Sequence, residues 1–225
     1  YRLVLFALTA LALIALVLSL FGVIVSPTPG ELVASFLVLA VVISAVDAVA
    51  QRLLRLPWRV ESSLVTALIL LFVLRPGIEP SALLGLAIAG AVASVSKYLI
   101  AWRGRHIFNP AAFGAAVVSI LGAFDAFSWL GTSSSWWVGT PVLVIPVVLL
   151  GLAVLWRTEK VGVVLLFLVI AVATSIVRQA VQAVQFDVSF DVVTALSFAV
   201  LQSPFLFLGA FMLSEPLTLP PRRRQ

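Results

Sequence analysis

Long apolar runs separated by short polar or basic turns repeat along the whole chain. Leu3 to Val25 is a continuous apolar run, too long for a signal-peptide core of about 7–15 residues, and it predicts a spanning helix. Ser26 to Glu31 (SPTPGE) reads as a turn, and a second run follows from about Leu32 to Leu54 with Asp47 near its far end. Arg52 to Arg59 (RLLRLPWR) is a basic loop with Trp58 at headgroup depth. The third run, about Ser62 to Leu74, is short and stops at Arg75-Pro76-Gly77. The fourth, about Ser81 to Ala101, carries Gly85, Ala89 and Ala93 at four-residue spacing, a ridge where another helix can approach closely.

The fifth run, Asn109 to Phe124, would reach only about 24 Å at about 1.5 Å per residue. A bilayer core is roughly 30 Å thick. A tilted or partial helix is therefore expected, with its N-terminus set into the membrane or a cavity. The loop Asp125 to Thr140 (DAFSWLGTSSSWWVGT) places Trp129, Trp136 and Trp137 as an aromatic belt. The sixth run is about Pro141 to Trp156, and the turn Arg157 to Lys160 (RTEK) leads to a seventh, about Val161 to Val177. Arg178 to Asp191 is polar and amphipathic. The eighth run, about Val192 to Leu213, contains Pro204, which should break or kink it. The tail is Ser214 to Gln225. The chain starts at Tyr1 rather than Met, so further residues are expected upstream.

Composition sharpens this into a class. Hydrophobic residues make up 63% of the chain and charged residues 10%, more apolar surface than a soluble domain can hide. The expected fold is an all-α polytopic membrane protein of about eight transmembrane spans, forming one transmembrane domain over residues 1–225. The absence of cysteine excludes disulfides, thiolate-held iron–sulfur clusters and Cys-zinc sites from this chain. One histidine and nine carboxylates argue against a buried protein-ligated metal centre. The net charge of +5 does not point to nucleic acid, because the basic residues sit at the ends of apolar runs.

Those residues set an orientation. With the N-terminus cytoplasmic, twelve of the fourteen Lys and Arg residues fall on the inner side, and only Arg75 and Arg178 on the outer side. A cell (inner) membrane location follows, with the turn at Arg103–His106 inside and the Trp-rich loop outside.

Candidate chemistry concentrates in Ser96 to Gly114 (SKYLIAWRGRHIFNPAAFG), which holds Lys97, Arg103, Arg105 and the only histidine, His106. Asn109 is a good N-cap and Pro110 suits the first helical position. A helix start beside cationic groups attracts an anion such as a phosphate. The plain alternative is a membrane loop with ordinary positive-inside charges and a routine cap, and at this point both readings stand. Asp47 is functional, as intramembrane acids often are, or is an interfacial acid neutralised by Arg52 or Arg55. One internal echo adds a topological expectation. Val65-Thr66-Ala67-Leu68 recurs as Val193-Thr194-Ala195-Leu196, an offset of 128 that Pro76 and Pro204 share. It links runs three and eight, which cross in opposite directions, and so predicts an inverted repeat of five helices with interrupted helices. The first repeat would span 1–124 and a partial second repeat 139–225.

At this point the residues carry a resemblance. RGRHIFNPAAFG (Arg103–Gly114), preceded by Ser96-Lys97-Tyr98, resembles the Lys…Phe-Asn-Pro-Ala signature of the NqrB/RnfD family. These are membrane subunits of the sodium-pumping NADH:quinone oxidoreductase and of the Rnf ferredoxin–NAD complex. Phe211-Met212-Leu213-Ser214-Glu215-Pro216-Leu217-Thr218 resembles the family's Phe-Met-x-x-Asp-Pro-x-Thr, with Glu215 where Asp is usual. The likeness covers Ser62 to Thr218 in patches. It implies ten helices in a five-plus-five inverted repeat with broken helices, a urea/ammonium-channel-like fold, so two carboxyl-terminal helices are expected beyond the eight seen here.

It also implies bound flavin, FMN or riboflavin, carrying electrons through the membrane. The family often holds FMN covalently on a threonine within Ser-Gly-Ala-Thr. Here Trp137-Val138-Gly139-Thr140-Pro141 keeps Gly and Thr and loses Ser and Ala, which makes Thr140 the one candidate and non-covalent binding the expected state. The implied cofactor contacts are Lys97, Arg103, Arg105, His106, Asn109, Thr140, Glu215 and Thr218. The implied partners are a flavin/iron–sulfur reductase domain or subunit, other integral membrane subunits, the lipid bilayer and a quinone. Two functions compete: an electron-transfer subunit, with or without coupled ion translocation, and a redox-inactive channel or transporter for a small solute on the same fold.

Overall fold

A computed structural model describes residues 2–102 and 105–213. The helices are α1 (Arg2–Leu20), α2 (Pro29–Leu53), α3 (Val60–Val73), α4 (Pro80–Leu99), α5 (Pro110–Leu121), α6 (Pro141–Thr158) and α7 (Val161–Gln185). The bent pair α8 (Val192–Gln202) and α9 (Phe205–Met212) follows. A short hairpin, β1 (Ala101–Trp102) and β2 (Arg105–His106), joins α4 to α5. Five helices (α1, α2, α4, α6 and α7) are long and apolar enough to cross a membrane, and α8 with α9 makes a sixth if the bent pair is one span. α3 and α5 are apolar but shorter. The chain divides into two compact units, with the boundary between Trp137 and Val138.

In the first unit, α1 stops five residues before the apolar run does. Gly22 takes a left-handed φ of +71°, and the amide of Val23 turns back to the Leu18 carbonyl at 2.9 Å. That geometry closes a helix C-terminus and suits glycine. α2 opens on a reciprocal cap: Thr28 Oγ1 accepts from the Glu31 amide, and the Glu31 carboxylate accepts from the Thr28 amide at 2.7 Å. α3 is enclosed by α1, α2, α4 and α5, and every residue from Val65 to Phe72 is buried. The ridge of small residues on α4 packs as its spacing predicts. Ala89 and Ala93 are fully buried, and they lie so close to Gly114 of α5 that a Cβ there would collide with both.

Beyond α3 the chain is extended rather than helical. Leu74 bridges to Ser134, the Arg75 amide donates to the Ser133 carbonyl at 3.0 Å, and Thr132 Oγ1 donates to the Arg75 carbonyl at 3.0 Å. Trp137 Nε1 donates to the Leu71 carbonyl at 2.9 Å. On the α2 side, Ser35 Oγ bonds both the amide and the carbonyl of Gly77 (3.0 and 3.1 Å). These partners satisfy backbone groups that a buried helix end would leave orphaned.

In the second unit, α7 extends to Gln185, eight residues past the apolar run. The segment Arg178–Gln185 (RQAVQAVQ) has no Gly or Pro, and Gln and Ala are good helix formers. The break expected at Pro204 is present: α8 and α9 meet at 46°. The turns on either side are wide, with the Ser203 amide on Phe198 and the Leu213 amide on Leu208. Gly209 of α9 packs on Val164 of α7, and Gly151 of α6 on Ala210.

Candidate functional site

The first unit buries a charged pair in a chain where charge is scarce. Asp47 of α2 and Lys97 of α4 meet at 2.8 Å (Nζ to Oδ2), with side chains only 2% and 4% exposed. Asp47 Oδ2 also accepts from Ser63 Oγ of α3 at 2.6 Å. Oδ1 accepts from Ser94 Oγ and from the Tyr98 hydroxyl at 3.1 Å, both on α4. Four donors fill the lone-pair positions of one carboxylate. Gln51 extends the network: its Nε2 donates to the Tyr98 hydroxyl at 3.2 Å, and its Oε1 accepts from the Arg59 amide at 3.2 Å.

Helical spacing brings these groups together. Asp47 and Gln51 are one turn apart on α2, and Ser94, Lys97 and Tyr98 occupy i, i+3 and i+4 on α4. Each set lies on the face its helix turns toward the other. The counter-ion of Asp47 is thus Lys97, not Arg52 or Arg55, which are exposed beyond the turn. A buried carboxylate needs a donor that is also dehydrated, and the basic loop lies in solvent.

The hairpin comes directly after this face of α4. Ala101 pairs with His106 and Trp102 with Arg105, while the Ile107 amide donates to the Ile100 carbonyl at 3.1 Å. Arg105 and His106 are half-buried. Burial, and then the charge of Lys97, hold the His106 pKa below its ordinary value of 6.5; a ring hydrogen bond to the Lys97 backbone opposes this in part. His106 Nδ1 is buried with no hydrogen-bond partner among the described residues. Asn109 caps α5 as predicted: its Oδ1 accepts from the Ala112 amide at 3.1 Å, and its carbonyl accepts from Phe113 at 3.0 Å. Pro110 has no amide proton to offer.

Thr140 lies in the second unit as the N-cap residue of α6, but its side chain makes no capping bond. Its Oγ1 is buried with no partner among the described residues. Arg103, Glu215 and Thr218 lie outside the described residues. The structure therefore brings Lys97, Arg105, His106 and Asn109 to one end of α4 and α5, with Lys97 turned to Asp47. Sequence reasoning missed Ser63, Ser94, Tyr98 and Gln51. The available signal was their one-turn spacing from Asp47 or Lys97, in helices otherwise short of polar side chains. Among the described residues no three His, Asp or Glu side chains gather as a metal site would require. Comparison with protein-family models, curated proteins and solved structures found no match to this chain.

Proposed function

We propose that the chain is a membrane electron-transfer subunit of the NqrB/RnfD kind, carrying electrons through bound flavin and coupled to the movement of an ion. In this reading all eight apolar runs lie in the membrane as part of the inverted repeat, the N-terminus is cytoplasmic, and a reductase partner supplies the electrons. The observation that carries it is a pair of orphaned buried atoms, His106 Nδ1 and Thr140 Oγ1. Both belong to residues that the resemblance assigns to the cofactor, and a buried polar atom without a partner calls for one. The donor set of the first unit fits a flavin: Arg105 and His106 would hold its phosphate or the charge of its reduced ring, while the Thr140 hydroxyl belongs to the second unit and would serve a flavin bound there separately. Bound flavin would supply one- and two-electron chemistry that no side chain of this cysteine-free chain offers. The protein's part is to hold it, to place positive charge beside it and to keep water from it.

A channel or transporter for a small solute is the second reading. It is favoured by the buried Asp47–Lys97 pair, and by an α5 start whose amides are already bonded to Asn109. The absorption spectrum of the purified protein between about 350 and 500 nm, where flavin absorbs, separates the two. Co-purifying flavin is expected, released when the protein is denatured. Arg105→Ala should lower its retention roughly ten- to hundred-fold, the equivalent of about 1.5–3 kcal/mol for a charge-assisted contact. Arg157→Ala, at an exposed helix end, should not. A colourless protein, expressed with its reductase partner and with flavin supplied, would sink the electron-transfer reading.

A further inference from the structure

The segment that closes α2 and leads to α3 interleaves cationic and apolar side chains, Arg52-Leu53-Leu54-Arg55-Leu56-Pro57-Trp58-Arg59, and all of them are exposed. None of the three guanidinium groups has an ion-pair or hydrogen-bond partner among the described residues, whereas Arg2 lies 3.9 Å from Glu61 and Lys97 is bound to Asp47. Leu53 and Trp58 are 77% and 72% exposed, bulky apolar groups that a loop facing only water would not gather. α2 has 25 residues and reaches about 37 Å at about 1.5 Å per residue, past a bilayer core of roughly 30 Å. Its last turn and the loop therefore lie at headgroup depth. There Trp and Leu meet the acyl boundary and arginine meets phosphate.

Gln51, buried in the last turns of α2, ties this loop at two points. Its carbonyl accepts from the Leu56 amide at 2.8 Å, and its Oε1 accepts from the Arg59 amide at 3.2 Å. Between them the Arg55 amide turns back to the Arg52 carbonyl, and Arg55 takes a left-handed φ of +53°. α1 closes in the same way on Gly22, so the backbone does not need a side chain at position 55. The three arginines thus stand on a short, tied segment with their guanidinium groups unengaged. Positive charge on a backbone already fixed loses less on binding than charge that must be ordered first. Planar guanidinium groups also pair with phosphate oxygens two bonds at a time.

We propose that Arg52, Arg55 and Arg59 form a binding site for the headgroup of an anionic phospholipid, with Leu53 and Trp58 beside its acyl chains. Charge complementarity selects the lipid. Three cations with no carboxylate paired to them attract a net-negative headgroup, and a zwitterionic one brings an ammonium that they repel. The exposed leucine and tryptophan favour a lipid over an acidic protein partner, because they sit at the depth where a bilayer covers them. This site goes beyond the electron-transfer reading and is independent of flavin. It needs only that α2 crosses the membrane.

The test is native mass spectrometry of the purified full chain in a neutral detergent, titrated with phosphatidylglycerol or with phosphatidylcholine of the same acyl chains. Retention of one phosphatidylglycerol per chain is expected at a concentration roughly tenfold or more below that for phosphatidylcholine. Arg55→Gly removes a charge at a position whose backbone suits glycine, so the fold should hold while phosphatidylglycerol retention falls about fivefold. Arg52→Gln should act likewise, and the triple change with Arg59→Gln should bring the two lipids level. Trp58→Ala should weaken retention of both lipids and keep the preference. Arg178→Gln, which removes an exposed charge from the second unit, should leave the preference unchanged. Equal retention of the two lipids by the wild type would overturn the proposal, as would a preference indifferent to Arg55→Gly and to the triple change. A preference lost equally in Arg178→Gln would reduce it to net charge and overturn the site as well.

Discussion

The two helix breaks marked by Pro76 and Pro204 come after the same Val-Thr-Ala-Leu sequence at the same distance, and they end differently. After α3 the chain leaves the helix altogether and runs extended from Leu74 to the start of α4. After α8 it resumes a helix within two residues, when the Leu208 amide takes up the Pro204 carbonyl at 2.8 Å. Proline itself does the same thing in both places: it removes a donor and stops the helix behind it. The path of the chain beyond each proline depends on which groups supply the missing partners. Around Pro76 they come from elsewhere in the unit, from Ser35 on α2 and from Thr132 and Ser133 in the Trp-rich loop. Around Pro204 the backbone supplies its own through the next turn, and the outcome is a 46° bend. The first unit thus holds its break with buried polar groups, and the second holds its break with helix geometry and apolar contacts such as Phe207 on Phe211.

The largest effect should come from the charged pair that sets the first unit apart. Lys97→Met leaves Asp47 buried without its counter-ion, and it should cost about 3–5 kcal/mol in thermal unfolding followed by tryptophan fluorescence. Arg178→Met, an exposed charge in the second unit, should stay within about 0.5 kcal/mol. Equal effects would erase the distinction between the units. Next comes Ser35→Ala, which strands the Gly77 amide and carbonyl and should cost about 1–3 kcal/mol in the same scan. Its counterpart Ser203→Ala loses only a 3.3 Å bond to the Phe198 carbonyl and should cost less than half as much.

Replacing the prolines sharpens the contrast in geometry rather than energy. Pro204→Ala restores an amide donor at the bend, so α8 and α9 should straighten. Spin labels at Leu196→Cys and Leu206→Cys would then move apart. Pro76→Ala should leave Leu74–Glu79 extended, because its bonds come from Ser35, Thr132 and Ser133. Straightening there would show that proline alone makes both breaks.

The smallest effect is a pH dependence confined to the hairpin. The pKa of folded His106 lies below 6.5, so the unfolded chain binds a proton more readily. No penalty exists above 6.5. It grows as pH falls through 6.5 and is complete below the folded pKa. Amide exchange at Ala101 and His106 should therefore accelerate on acidification through that range, and His106→Gln should flatten the profile.

Much of this molecule was legible as local sequence. The apolar runs became helices, Asn109 and Pro110 opened α5, the small-residue ridge on α4 packed against α5, and the helix expected to break at Pro204 bends there. Each of these depends on groups within a turn or two of one another, so the residues alone state the answer. The end of α7 was misjudged because hydropathy marks where a helix leaves lipid, not where its hydrogen bonds stop. What only the tertiary structure decided is which distant residues meet. Asp47 had two arginines within eight residues and took a lysine fifty residues away. From Ala67 to Val73 α3 is apolar on every face, so its periodicity there names no partner, and nothing local says that it is the helix the others enclose. Burial decides both. Inside a bundle a charge or a backbone group must be satisfied by whatever the packing brings within about 3 Å, and packing is a property of the whole chain.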